Sequence, residues 1–425
     1  MKTWGRQGPG IVSLFGSLLA GWAALTAPGV VSAQAPFEAP PTLAASAILP
    51  AEQLTGPNHR VADAVRNDGY LNHYVVTSRF GEFPAVSTAM LRTRITELNA
   101  IAAIERVEAM DEFKKSFQEQ AGKVVQGFEN LVTKPGETLS GAASGVARTF
   151  ERAGEALFGS KRSQAEEERW KDAVGFAKTK RDYARQFGVD PYSSNKLLQE
   201  KLDKLAWAGY FGGLSMGAVT MAVPGVGGAA FSVQGATTLM NEVLATTPPV
   251  DLRRMNQEKL RAMGLEPQLA DLFINNAAFS PRQQTLLVAA LDEMKGVADR
   301  AAFVRFAIPT NTEDLAFFRQ RMAEMYAGYH RNVGPIERFV PVGQFVAART
   351  RGGALVLAAP LDYLCWTPSA ARVLGALAER APALKVRERQ LWLGGTASPT
   401  SRAELQRQGW TVQELSEAQL LARRP

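Results

Sequence analysis

Leu205-AWAGYFGGLSMGAVTMAVPGVGGAAFSVQGATTLM-Asn241, set between Lys204 and Glu242, contains no charged residue. It divides at Pro224-Gly225, a pair that ends a helix and turns the chain, into two halves of helical length. Gly209, Gly213 and Gly217 recur every four residues in the first half, and Gly228, Ser232 and Ala236 do so in the second. Small residues at that spacing share one helix face and let two backbones approach closely along a smooth seam. The pattern predicts a tight, glycine-rich hydrophobic hairpin over residues 205–244.

A hairpin of this kind has two destinations. Each half has about 19 residues, near the minimum for a span, and Gln234, Thr237, Thr238 and Asn241 would need partners in hydrocarbon. Burial at the centre of a helical domain is therefore favoured over insertion into a bilayer. The second destination is the one implied by a resemblance to the hydrophobic hairpin of pore-forming bacteriocins.

Working outward, the flanks are helical. Leu91, Ile95, Leu98, Ile101, Ile104, Val107, Met110, Phe113, Phe117, Ala121, Val124, Phe128 and Leu131 follow a step of three or four, as one long amphipathic helix or two in line, which Pro135-Gly136 ends. A second such segment covers Leu139 to Phe158. Beyond Pro248-Pro249, Gly264, Ser280-Pro281 and Asn311 punctuate shorter helices. Strand patterns occur at the two ends. Tyr70–Ser78 and Phe80–Val86 predict a strand pair. Gln344–Arg349 and Ala354–Ala359 predict a hairpin around Gly352-Gly353. A helix over 368–380, a strand over 389–393, a helix opened by Ser398-Pro399 and a strand from Trp410 imply a parallel pair with a right-handed crossover.

The expected fold is thus mainly α: a multi-helical body with the glycine-rich hairpin, plus a small C-terminal α/β domain, α+β overall. The expected boundaries are a signal peptide over 1–33, a Pro/Ala-rich tether over 34–57, a strand pair and helical domain over 58–250, a helical segment over 251–332 and the α/β domain over 333–425.

Lys2 and Arg6, the uncharged run Ile11–Leu25 and the small residues Val31-Ser32-Ala33 have the three-part build of a secretory signal, with cleavage near Ala33. The expected address is the periplasm or the exterior. Loss of Lys2 and Arg6 lowers the formal charge from +7 to +5, a mild excess that suits an anionic membrane surface or an envelope protein and gives no reason to expect nucleic acid. Cys365, the one cysteine, lies in an apolar stretch and reads as buried and inert.

Several motifs have the spelling of catalysis. Gly213-Leu214-Ser215-Met216-Gly217 resembles the nucleophile elbow of α/β-hydrolases, which implies a nucleophilic Ser215 on a strand-to-helix turn and His330 as the downstream histidine. The run of helix before Ser215 leaves such an elbow without a sheet. Ser193 to Lys196 spells S-x-x-K without its companion motifs, and Gly225 to Ala230 imitates a dinucleotide loop in mid-hairpin. Asn58, His59, Arg60, Asp63, Asp68 and His73 form a polar patch with no metal-ligand spacing, and Gly394-Gly395 could offer backbone N–H groups to an anion. No cofactor or metal is expected. The sequence favours an exported, non-enzymatic scaffold or interaction protein of the bacterial envelope, associated with the membrane if the 205–244 hairpin engages it. The alternative is a periplasmic serine hydrolase using Ser215 and His330.

Overall fold

The computed structural model describes residues 37–121, 164–222, 238–343 and 345–422. The chain divides into two compact units, one formed by Met1–Arg92 with Ala289–Pro425 and the other by Thr93–Val288.

In the first unit the alternating residues 72–86 do make two antiparallel strands, β5 (Asn72–Ser78) and β6 (Gly81–Val86). They are part of a larger sheet, with β1 (Thr42–Ala44), β2 (Thr55–Gly56), β3 (His59–Val61) and β4 (Ala64–Asn67). Its order is β1-β4-β5-β3-β2, with β6 also on β5, and every pairing is antiparallel. Strand β1 and two short helices occupy the region whose composition predicts a tether. Proline is tolerated at sheet edges as well as in free linkers, so Pro-rich composition does not separate the two cases.

The second sheet has the order β13-β11-β9-β8-β7. Strands β7 (Ile336–Val342), β8 (Phe345–Thr350) and β9 (Ala354–Ala359) form an antiparallel meander. Strands β11 (Glu388–Leu393) and β13 (Trp410–Gln413) continue it in parallel, the helices Pro368–Arg380 and Pro399–Arg407 serving as crossovers. Each crossover helix begins as its sequence dictates, with a Thr367 or Ser398 cap and proline in the first turn. The helix Glu313–Asn332 is buried along most of its length, and Phe303, Tyr326 and Phe339 meet edge to face with ring centroids 5.3 to 6.1 Å apart.

These two sheets correct the expected fold. The molecule is not a helical body carrying a separate C-terminal α/β domain, because residues 333–425 and the N-terminal sheet belong to one unit. Backbone hydrogen bonds from Asp362 and Tyr363 N–H to the Tyr70 carbonyl, from Cys365 N–H to Gly69 and from Glu38 N–H to Trp366 join them. Strands β10 (Tyr363–Leu364) and β12 (Thr396–Ala397) form a short parallel pair at this junction. The sequence cannot signal such a union, since each partner has an ordinary local pattern and the pairs lie some three hundred residues apart.

The second unit is helical. Leu98, Ile101, Ile104 and Val107 are buried at the spacing that predicted them. The helix Thr88–Glu108 then breaks and resumes as Asp111–Ala121; Pro135-Gly136 and the segment 139–158 lie outside the described residues. Asn195 caps the helix Lys196–Tyr210, its side chain accepting from Leu198 N–H at 3.2 Å. That helix buries Leu198, Leu202, Leu205 and Ala206.

The first arm of the expected hairpin is not one helix. Lys196–Tyr210 ends inside it, residues 211–215 turn with Gly213 at φ +70°, and a short helix follows over Met216–Ala222. Residues 223–237, including Pro224-Gly225 and the second-arm residues Gly228, Ser232 and Ala236, lie outside the described residues, and the helix Thr238–Thr246 follows them. Among the described residues no helix is long and apolar enough to cross a membrane.

Candidate functional sites

Ser215 sits between two helices and not after a strand. Its Oγ accepts from Ala218 N–H at 3.1 Å and so caps the helix Met216–Ala222. His330 belongs to the other unit, where its Nδ1 accepts from Ile336 N–H at 3.0 Å. Burial, helped by the charge of Arg351, pulls that imidazole below its ordinary value. A nucleophile elbow needs a strained strand-to-helix turn that lifts the hydroxyl clear of its own backbone. Here the local turn is helix to helix, and the hydroxyl is engaged as a cap.

The three described glycines of the seam also part company. Gly209 is in the helix Lys196–Tyr210, Gly213 is in the turn, and Gly217 is in the next helix. A Cβ on Gly209 would come within 2.4 Å of the Tyr183 hydroxyl, whereas none would meet anything within 4 Å at Gly213. The bare Gly209 therefore clears a path for Tyr183, whose hydroxyl donates to the Leu214 carbonyl at 2.8 Å where the helix has ended. Burial pushes the Tyr183 phenol up to about 12. What the glycine receives is a tyrosine ring.

The polar patch disperses in the same way. His73 Nε2 is 2.9 Å from Asp68, His59 is buried with its Nε2 3.1 Å from the Gln53 carbonyl, and Asp63 accepts from the Ser46 hydroxyl and N–H. Among the described residues no three His, Cys, Asp or Glu side chains are grouped to hold a metal ion. Gly394 and Gly395 donate their N–H groups to Ala359 and Leu361, so neither faces an anion. Ser193 bonds to buried Glu97, which also accepts from Arg94 at 2.8 Å and Asn195 at 3.0 Å, a clamp inside the helical unit. Cys365 is buried, and burial with the nearby acids Glu38 and Asp68 raises its thiol to about 12.

Three further clusters lie outside the sequence motifs. In the first unit, Asp362 accepts from Asn72 N–H at 2.9 Å and Thr88 N–H at 3.0 Å, pinning the strand β5 and the first turn of a helix to the end of β9. Burial raises its carboxyl to about 6 against the pull of those donors. In the same unit, the Arg321 guanidinium lies 3.0 Å from Glu417 and 3.3 Å from Glu324. Burial opposes its charge, yet the two acids hold it firmly protonated. A crevice beside Arg321, lined also by Leu71, Ser87 and Phe318, encloses only about 10 Å³, room for about one water.

In the second unit, a crevice of about 10 Å³ opens between the helix Gln164–Gln186, the loop at Asp190–Tyr192 and the start of the helix Pro281–Glu293. It is lined by Arg181, Arg185 and Arg282 with Asp190 and Tyr192. Arg181 is 5% exposed, and its Nε has no hydrogen-bond partner. The sequence signal was available in the i, i+4 spacing of Arg181 and Arg185, which places both on one helix face. Nothing in the chain order ties Arg282 to them. No family model, no curated protein and no solved structure matches this chain.

Proposed function

We propose that the protein is an exported, non-enzymatic scaffold or interaction protein of the bacterial envelope, acting through surfaces that bind an anionic membrane or an envelope partner. The observation that carries this reading is the employment of Ser215. The one serine set in a hydrolase-like motif is engaged as a helix cap, in a different unit from His330. The buried charges of the first unit add to it. Asp362 holds backbone N–H groups, and Arg321 bridges two glutamates, so both act as internal fasteners. Export rests on Lys2, Arg6, the apolar run and Val31-Ser32-Ala33. Membrane contact through 205–244 belongs to the same reading, as a surface association.

Cells making the protein are fractionated, and the membranes are washed at alkaline pH. Recovery of a chain shortened near Ala33 in the periplasm, or in the alkaline wash, is the expected result; a full-length chain in the cytosol overturns export. A fluorophosphonate probe tests the rest. Labelling that disappears in Ser215→Ala would replace the scaffold with a serine hydrolase.

A further inference from the structure

The N-terminal sheet turns one side inward and leaves the other bare. Along β5, Asn72, Tyr74 and Val76 are buried, while His73, Val75 and Thr77 point the opposite way, as the period of a strand requires. Val75 is 41% exposed. Of the six large apolar side chains left exposed among the described residues, it is the one that stands within a strand, with β6 on one side of it and β3 and β4 on the other. Its registered neighbour on β6 is Pro84, also exposed. Strand β6 is an edge, and the bond from Ser87 N–H to the Asn72 carbonyl fixes its alternation, so that Pro84 turns its missing donor to the open side. Extension of the sheet through that edge is blocked, and its face is left for association.

Charges frame the apolar centre of the face. The register puts Arg60, Thr77 and Glu82 in one row across β3, β5 and β6, and Arg66, His73 and Val86 in another across β4, β5 and β6. Arg60, Arg66 and Glu82 are exposed, and none of these side chains has an ion pair or a hydrogen bond among the described residues. Arg60 and Glu82 stand two strand spacings apart, about 10 Å, too far to pair with each other.

We propose that this face binds the same face of a second copy of the chain, about a two-fold axis running along β5. Rotation about that axis keeps each row in place and exchanges the strands on either side. In an aligned packing of the two sheets, Arg60 then meets Glu82 of the second copy, Glu82 meets Arg60 of the second copy, and the two Val75 side chains meet on the axis. A two-fold axis across the strands would set Arg60 against Arg66, a like-charge contact, so the charge pattern selects between the two arrangements. Arg66 lies at the rim, where its stem covers Val86 of the second copy and its guanidinium reaches water. The contact is small, and a dissociation constant on the order of 10–100 µM is expected. The inference stands on the N-terminal sheet alone and holds whether or not the chain is exported.

Sedimentation equilibrium of the purified protein from about 5 to 500 µM reads the association. A monomer–dimer equilibrium that weakens with added salt is expected. Arg60→Glu and Glu82→Arg each set like charges across the axis and weaken self-association at least about tenfold. An equimolar mixture of the two variants regains the dimer, because a chain with two glutamates then faces a chain with two arginines. Val75→Lys brings two ammonium groups together on the axis and abolishes association without touching either charge pair. All three side chains are exposed, so each variant should melt as the parent does, and only variants that do so are compared. A parent that stays monomeric throughout overturns the proposal and leaves the face to a different partner. A dimer that all three variants leave unchanged, or a mixture no more associated than its components, overturns it as well.

Discussion

Asp362 in the first unit is surrounded by the N–H groups of Asn72 and Thr88, whereas Arg181 in the second keeps an Nε–H that meets no acceptor. Both are buried charges. The carboxylate joins a strand, a helix start and a loop that are remote in sequence, so bonds that define the fold offset part of its desolvation. The guanidinium lines a crevice with Arg185, Arg282, Asp190 and Tyr192, all within the helical unit. A buried charge whose bonds close on backbone groups remote in sequence fastens the fold.

The comparison breaks first at Arg321. Removing that guanidinium leaves Glu324 and Glu417 without their shared counter-charge, so Arg321→Met should lower unfolding stability by about 3–5 kcal/mol, read from the denaturant midpoint. Replacing Gly395 is next. A Cβ there would lie 1.9 Å from the Asp362 carbonyl oxygen, a backbone atom that cannot move alone, and Gly395→Ala should cost about 3 kcal/mol in the same measurement.

Asp362 sharpens it through pH. Its carboxyl rises from 3.8 to about 6 on folding, so between those values the folded state holds more of the proton than the unfolded one. The contribution is fully present below pH 3.8 and is lost as pH rises through about 6, on the order of 3 kcal/mol in all. Asp68 contributes with the opposite sign. Burial raises its carboxyl, but His73 and the N–H groups of Leu71 and Tyr70 bring it below its ordinary value, so its stability is lost as pH falls. Subtracting the Asp362→Asn profile from that of the parent isolates the first effect, and a flat difference between pH 4 and 7 would refute it.

Smaller effects are expected in the helical unit. Tyr183→Phe removes the bond to the Leu214 carbonyl and should cost about 1 kcal/mol by thermal melting. Ser215→Ala removes a cap at an exposed helix start and should cost about 0.5–1 kcal/mol. A much larger loss at Ser215 would give that residue a role beyond capping.

The local readings fared well where one element sufficed. The helix Pro368–Arg380, the hairpin of β8 and β9, and the crossover from β11 to β13 lie where capping residues and periodicity put them. The glycine stretch misled because four-residue spacing is a property of a continuous helix, and Gly212-Gly213 interrupts that helix before the third glycine. The candidate sites were less legible still. Ser215 advertised a motif and became a cap, while Asp362, Arg181 and Arg282 carried no motif at all.

Composition, capping residues and hydrophobic period are local quantities, and the chain determined from them which segments coil, which extend and where most of them stop. Which segments share a core was decided only in three dimensions. The Pro-rich stretch from residue 37 becomes part of a sheet, and Glu38 closes on Trp366 and Ser398, through hydrogen bonds between groups more than three hundred residues apart. Such bonds leave no period or spacing to read, because a backbone N–H or a lone carboxylate is the same group whichever partner folding brings to it.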